Sequence, residues 1–305
     1  MKSLGTGGAT PTCSCGEGAV ENDILPRMEN RVIIGSGPAG LTAGLYAARA
    51  GLQPLVLEGL ESGGQLMQTQ HVANYPGFAA TTSGPAIIAA IRAQAEAAGV
   101  RFKMDVVEKV DFADEPKKLF TMMGDTLEAR AVIVATGAGV TKTGLPGEAK
   151  FFGRGISACL TCDGAFYTGK TVVVVGDGAA AKGAANYLAR LGATVAAVLP
   201  PAALAAFEGD EKLRAVRTAD GATVAADGVF LVTARTPQTQ FLGAALATDA
   251  RGHIVVADQV KTGVPGVFAA GDCARANYKQ AVVAAGDGAL AALEAAAYLG
   301  GREGA

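Results

Sequence analysis

Two glycine-rich turns, each set between an apolar strand and a helix, constrain this chain more than any other feature. In the first, the strand Arg31–Ile34 runs into Gly35-Ser36-Gly37-Pro38-Ala39-Gly40. A helical pattern over Leu41–Ala50 follows, closed by Gly51, and then a strand over Leu55–Leu57 that ends at Glu58. Strand, helix and strand within about thirty residues is the setting in which such a turn holds a dinucleotide. Gly35 allows the tight turn, Gly37 admits a pyrophosphate, and Gly40 lets helix pack on sheet. The unpaired N–H groups of the helix start face the phosphates. Glu58, 23 residues after Gly35, is placed to accept from ribose hydroxyls. The second unit opens with Thr171–Val175, turns at Gly176-Asp177-Gly178-Ala179-Ala180-Ala181, and continues as a helix to Leu191 and a strand over Thr194–Val198.

Further elements place these units in one architecture. A helix is expected over Ser83–Ala98, short strands near Arg101–Val110 and Leu119–Met123, and a strand over Ala131–Ala135 leading to Thr136-Gly137. Late in the chain, Val267–Ala270 leads to Gly271-Asp272, and a helix begins near Lys279. The fold class is α/β, with two Rossmann-like dinucleotide-binding domains, the second inserted into the first and shortened. The first domain is expected over 28–143 plus 244–305, and the inserted one over 144–243. Residues 1–27 read as a disordered extension carrying Cys13-Ser14-Cys15.

The 26 basic and 28 acidic residues nearly cancel, which argues against a nucleic-acid partner. No uninterrupted apolar run reaches the roughly 20 residues of a membrane span; Asp287 and Glu294 interrupt Ala281–Leu299. Without the apolar core of a signal peptide, the five cysteines point to a reducing, cytoplasmic setting. There, a close pair is more often catalytic or metal-binding than structural. Cys159-Leu160-Thr161-Cys162 is the one Cys-x-x-Cys, and His71 and His253 lie far from it in sequence, so no zinc site is expected. Such a pair can cycle between dithiol and disulfide. Asp163 could give or take a proton as it does so, provided the site raises its pKa.

Taken together, Gly35–Gly40, Gly63-Gly64-Gln65-Leu66, Asn74-Tyr75-Pro76-Gly77, Ala135-Thr136-Gly137, Ser157–Gly164 and Val267–Asp272 resemble the low-molecular-weight thioredoxin reductases, in the right order over nearly everything from Arg31 onward. The resemblance implies a homodimer, one FAD per subunit in the split domain, and a thioredoxin-like dithiol/disulfide partner. It places Cys162 nearer the flavin, gives Cys159 the attack on the partner disulfide, and makes Asp163 the acid–base group. It puts Gly64, Gln65, Leu66, Asn74, Val107, Ala135, Thr136 and Gly137 along the flavin, with Gly271 and Asp272 at the ribityl hydroxyls. A helix starting at Lys279-Gln280-Ala281 would aim its positive end at the ring. Lys279 stands where relatives usually carry Arg, and Cys273 reads as a small buried residue.

The resemblance breaks where a 2′-phosphate would be held. Relatives have a His-Arg-Arg type segment there, whereas this chain has Leu199-Pro200-Pro201 and no Lys or Arg between Arg190 and Lys212. Each lost phosphate contact is worth about 1.5–3 kcal/mol. Glu208, Asp210 and Glu211 add the wrong sign, and Asp177 would oppose a pyrophosphate. Residues 201–229 leave room for a hairpin only. NADPH is therefore not expected. Two offshoots of the group fit this pattern: diflavin-linked disulfide oxidoreductases, with a second FAD, and ferredoxin-dependent flavin thioredoxin reductases. The diflavin type is preferred, since no obvious basic cluster awaits ferredoxin. An NADPH-driven thioredoxin reductase and a flavin redox sensor without turnover are the competing readings.

Overall fold

The computed structural model describes residues 27–233 and 235–303. The expected extension, with Cys13 and Cys15, lies outside the described residues except for Arg27, which opens the first strand.

The chain begins with β1 (Arg27–Ile34), α1 (Pro38–Arg49) and β2 (Leu55–Leu57). Then come α2 (Gly84–Ala97), β3 (Arg101–Lys103), β4 (Val107–Asp111), β5 (Lys117–Thr121), β6 (Thr126–Val134) and β7 (Ala138–Val140). The main sheet runs β3-β2-β1-β6-β5-β4. β1, β2, β3 and β6 are parallel, while β4 and β5 fold back antiparallel. β6 starts five residues earlier than its apolar core suggests, because its first half pairs with β5 through Lys117↔Ala129 and Leu119↔Leu127. Polar and apolar residues alternate there, so the apolar run alone understates the strand.

The chain next builds α3 (Glu148–Phe151), β8 (Ile156–Ser157), α4 (Leu160–Asp163), β9 (Thr171–Gly176), α5 (Gly178–Arg190) and β10 (Thr194–Leu199). It continues through β11 (Leu204–Gly209), β12 (Leu213–Thr218), β13 (Thr223–Ala225), β14 (Gly228–Val232) and β15 (Arg235–Pro237). The second sheet is parallel, ordered β10-β9-β14-β8. Val172–Val175 are fully buried, as expected for a parallel strand covered on both faces.

Between β10 and β14 the structure corrects the expectation of a hairpin: β11, β12 and β13 form a three-stranded antiparallel meander. Its second turn, at Asp220-Gly221, is closed by Thr218 and Asp220, whose Oδ1 accepts the Ala222 N–H at 3.2 Å. Leu204, Phe207, Leu213 and Val216 pack it against the second sheet. β15 returns the chain to the first domain beside β7, and together they form a two-stranded link. β16 (Val267–Ala269) then pairs with the second half of β6, and α6 (Ala281–Glu303) closes the fold.

The helix start expected near Lys279 comes two residues later. By length and composition α6 could cross a membrane, with mean hydropathy 1.4 over Ala281–Gly301. Its apolarity is used for packing on one side: Ala291, Ala292, Ala295 and Leu299 join Ala39, Ala43 and Ala47 of α1 over Ile33, Val56 and Ile133 of the sheet. Asp287 is buried in an ion pair with Arg275, whose Nε donates to it at 2.9 Å.

α1 and α6 approach closely because their contact is made of small residues. A Cβ on Gly288 would lie 2.1 Å from the Ala39 carbonyl oxygen. Gly288→Val therefore has to push the two helices apart and should lower stability by about 1–3 kcal/mol. A urea midpoint equal to that of the unsubstituted protein would show that the helices yield without cost.

Candidate active site

A cavity of about 1530 Å3 lies between the two domains. On its first side are the turn residues Gly35, Ser36, Gly37, Pro38 and Ala39, with Glu58 at the end of β2. Gly64, Gln65, Leu66, Asn74 and Val107 follow, then Ala135, Thr136 and Gly137 beyond β6, and Asp272, Lys279, Gln280 and Ala281 at the approach to α6. Cys159, Cys162 and Asp163 come from the inserted domain. Two expected residues do not line it. Gly40 stands beneath the turn, where a Cβ would meet the Gly35 carbonyl oxygen at 1.8 Å; Gly271 lies beneath α6, against Ala39 and Ala284. Both act by permitting close packing.

The phosphate end is built from backbone. Gly35 has φ +110°, and a Cβ there would meet the Ala135 oxygen at 2.4 Å. A Cβ on Gly37 would meet nothing within 4 Å, so the space before α1 stays open. The first N–H groups of α1 lack helical acceptors and face that space. The Ser36 hydroxyl accepts the Gly63 N–H at 3.1 Å and so fixes the neighbouring loop.

Glu58 reaches the cavity already held. Ser62 Oγ donates to its carboxylate at 2.5 Å, and Arg92 pairs with both oxygens, Nη2 at 3.3 Å. Arg92 in turn stacks on Phe102, 4.1 Å from the ring centre. The carboxylate has about four acceptor sites, so Arg92 orients Glu58 without saturating it. Arg92 lies in α2, and nothing local in its sequence marks it.

Cys159 and Cys162 form a disulfide, half-buried, with Cα atoms 5.3 Å apart. Polar contacts seat it. Gln280 Nε2 donates to Thr161 Oγ1 at 2.9 Å and lies 3.9 Å from Cys159 Sγ, while Asn74 Nδ2 donates to Gln280 Oε1 at 3.0 Å. Arg235, on the returning strand β15, donates to Gln65 Oε1 and to the Ala158 carbonyl, both at 3.0 Å, and lies 3.7 Å from Asp272. Arg235 was not foreseen; its contacts lie up to 170 positions away.

Asp163 has its carboxylate against the Ser157 hydroxyl. Burial pushes its carboxyl above the usual 3.8, partly countered by Ser157 and by the charge of His71. Asp272 is raised by burial too, with Arg235 and Lys279 opposing. Cys273 is fully buried, its Sγ near the carbonyls of Val134 and Ala270, and burial pushes its thiol up. It is a packing residue.

In the second glycine unit, Asp177 is the exposed residue preceding α5, and Ala181 is buried where a third glycine could stand. β10 ends at Leu199 and passes through Pro200 and a short turn at Pro201–Ala203 directly into β11.

A dinucleotide cradle in one domain, facing a redox disulfide carried by the other, defines a flavin-type disulfide oxidoreductase. Residues 29–200 and 197–288 match the pyridine nucleotide-disulphide oxidoreductase family. A thioredoxin reductase of Streptomyces clavuligerus is 39% identical over 89% of this chain and 94% of its own length. The structure of a Giardia duodenalis thioredoxin reductase superimposes with a TM-score of 0.82 at 37% identity, covering 90% of this chain and 99% of that one. A ferredoxin-flavin thioredoxin reductase from Clostridium acetobutylicum gives 0.54 at 31% identity, covering 90% and 99%. The chain belongs to the thioredoxin reductase family and is an FAD-dependent thiol/disulfide oxidoreductase. The open space at Gly37 and the unpaired N–H groups of α1 fit the FAD pyrophosphate.

Asp163 gives the site a pH signature. Because its pKa is raised on folding, its contribution to stability is present below pH 3.8 and lost as pH rises through the folded value. Asp163→Asn removes that loss. Paired urea melts of the oxidised protein should show the variant gaining on wild type between pH 3 and pH 7. A difference constant over that range would contradict the assignment.

Proposed function

We propose that this enzyme moves electrons between FAD and the Cys159–Cys162 disulfide without a pyridine nucleotide, and that a thioredoxin-like protein is its disulfide partner. The end of β10 carries the first part. The residues that would face a 2′-phosphate there are Leu199, Pro200 and Pro201, and Arg217 of the meander is paired with Glu208 at 2.8 Å. Losing two or three charge-assisted contacts of about 1.5–3 kcal/mol each weakens binding by several powers of ten. The relatives' names support a thioredoxin-type partner; at 39% identity they also make an NADPH-driven reductase the reading to beat.

Bound FAD supplies two-electron exchange. Opening the disulfide takes two electrons and two protons, and Asp163, holding its proton more tightly than usual, is placed to give one of them. We assign Cys162 to the flavin contact and Cys159 to attack on the partner disulfide. Gln280 and Arg235 keep the pair at the cavity while electrons pass.

A second FAD is the electron relay we favour. The cavity exceeds the roughly 300–1,000 Å3 of ordinary ligand sites. Its far wall offers Phe152, Phe166 and Tyr167 to a flat ring and Arg154, Lys170, Lys212 and Arg214 to phosphates. Those same cations supply a basic cluster, which favours ferredoxin as the second reading. For a homodimer, α6 leaves Val282, Gly286, Leu290, Leu293 and Ala297 exposed along one face.

Anaerobic titration tests the proposal. The purified protein should be yellow; micromolar NADPH should leave its absorbance unchanged, while dithiothreitol or dithionite bleaches it. Rapid bleaching by NADPH would falsify the central claim. Flavin released on denaturation should approach two per chain, and a value near one points to ferredoxin. Cys162→Ser should abolish bleaching by dithiothreitol but not by dithionite; persistence of the thiol-driven step would mean that the route does not run through Cys162.

A further inference from the structure

Beyond the disulfide chemistry, three ionisable side chains make an unbroken line from solvent to the cavity. Asp249 is exposed in a turn, where its Oδ1 accepts the N–H groups of Arg251 at 2.8 Å and His253 at 2.9 Å. Its Oδ2 lies 3.2 Å from His253 Nδ1. His253 is 4% exposed, and its other ring nitrogen, Nε2, lies 3.0 Å from Lys279 Nζ. Lys279 lines the cavity two residues before α6 begins.

The partners fix the proton positions. A carboxylate only accepts, so Nδ1 carries the hydrogen toward Asp249. An ammonium only donates, so Nε2 must be the bare nitrogen facing Lys279. If both groups were fully protonated, two donors would meet head-on. One hydrogen therefore lies between His253 Nε2 and Lys279 Nζ.

We propose that Asp249, His253 and Lys279 form a proton relay between solvent and the end of the cavity at the start of α6, with Lys279 as the group that exchanges the proton there. The inference rests on the FAD-dependent reading for what occupies that end. Oxidation of the Cys159–Cys162 dithiol releases two electrons and two protons. FAD, when bound, would supply the two-electron acceptor; the two thiol protons leave on the Asp163 side, and the relay returns one proton from solvent to Lys279 Nζ, so that one of the two negative charges is balanced at that end. Within the relay, Nε2–H of the imidazolium passes its proton to Lys279 Nζ, and Nδ1 is reprotonated from solvent beside Asp249. No electrons move along it.

The surroundings suit exchange. Burial lowers the Lys279 pKa, and the Arg235 charge lowers it further; Asp272, Cys273 and Asp249 pull the other way. Lysine can release a proton in such a place, whereas arginine cannot. Lys279→Arg thus keeps the charge and removes the transfer.

Two measurements test this. In FAD-free protein, the ring 15N resonances of His253 should report the Nδ1–H tautomer with Nε2 as acceptor, and Lys279→Met should move the Nε2 signal. The opposite tautomer, or an Nε2 signal indifferent to Lys279, overturns the relay. In holoprotein, stopped-flow bleaching by dithiothreitol should slow at least tenfold in His253→Ala and in Lys279→Arg, and added imidazole should restore the rate in His253→Ala alone. A wild-type rate in either variant, or a slowed His253→Ala that imidazole does not rescue while FAD content is unchanged, also overturns it. Protein that purifies without flavin would defeat the FAD reading but leave the NMR arm decisive for the relay.

Discussion

Everything this site can do depends on how the inserted domain is held against the first, and Arg235 ties the two. Among the described residues the chain crosses between the domains through β7 and β15, and a two-stranded ribbon alone is a weak hinge. Arg235 stands on that ribbon and reaches both ways, to Gln65 in the first domain and to the Ala158 carbonyl beside Cys159. Burial disfavours its charge and lowers its pKa, and Asp272 at 3.7 Å offsets part of that cost. A charge kept in such a place is strongly committed to its partners, because removing one leaves the other buried and unpaired. The guanidinium thereby sets which face of the second domain the cavity sees.

The second tie, from Asn74 through Gln280 to Thr161, is polar as well. Polar ties of this kind contribute about 0.5–1.5 kcal/mol each, far less than the apolar cores within either domain. Interfaces held this way favour relative motion. The half-buried disulfide is seated against Gln280 by contacts that cost little to break. The site is thus firm enough to position the pair and loose enough to release it.

What could be read from sequence was what is local. The glycine units and the Cys pair with Asp163 each declare themselves within a few residues, and the fold class followed from their spacing. Arg235 and Arg92 did not, because each acts across the fold on a partner far along the chain, and an isolated arginine is ordinarily a solvated one. Glu58 was read as a free acceptor for the same reason; its partner Arg92 is supplied by α2. The meander was missed because residues 201–229 were read as room for a hairpin, and its third strand, β13, is only three residues long. The basic wall of Arg154, Lys170, Lys212 and Arg214 is assembled from three separated segments, which no window along the chain could join.

The two glycine units act as a control for one another. In the first, the strand end carries a carboxylate that is buried, paired and stacked, through Glu58, Ser62, Arg92 and Phe102. In the second, the turn and helix are kept, yet β10 ends at Leu199, is followed by two prolines and leaves Val198 41% exposed at the sheet edge. Such an apolar edge gains nothing for the domain alone. The first unit spends four side chains on shaping one ligand-facing carboxylate; the second spends none. The same fold element is therefore present twice, once with a carboxylate held at its strand end and once without, and the second unit lies in the same domain as the disulfide.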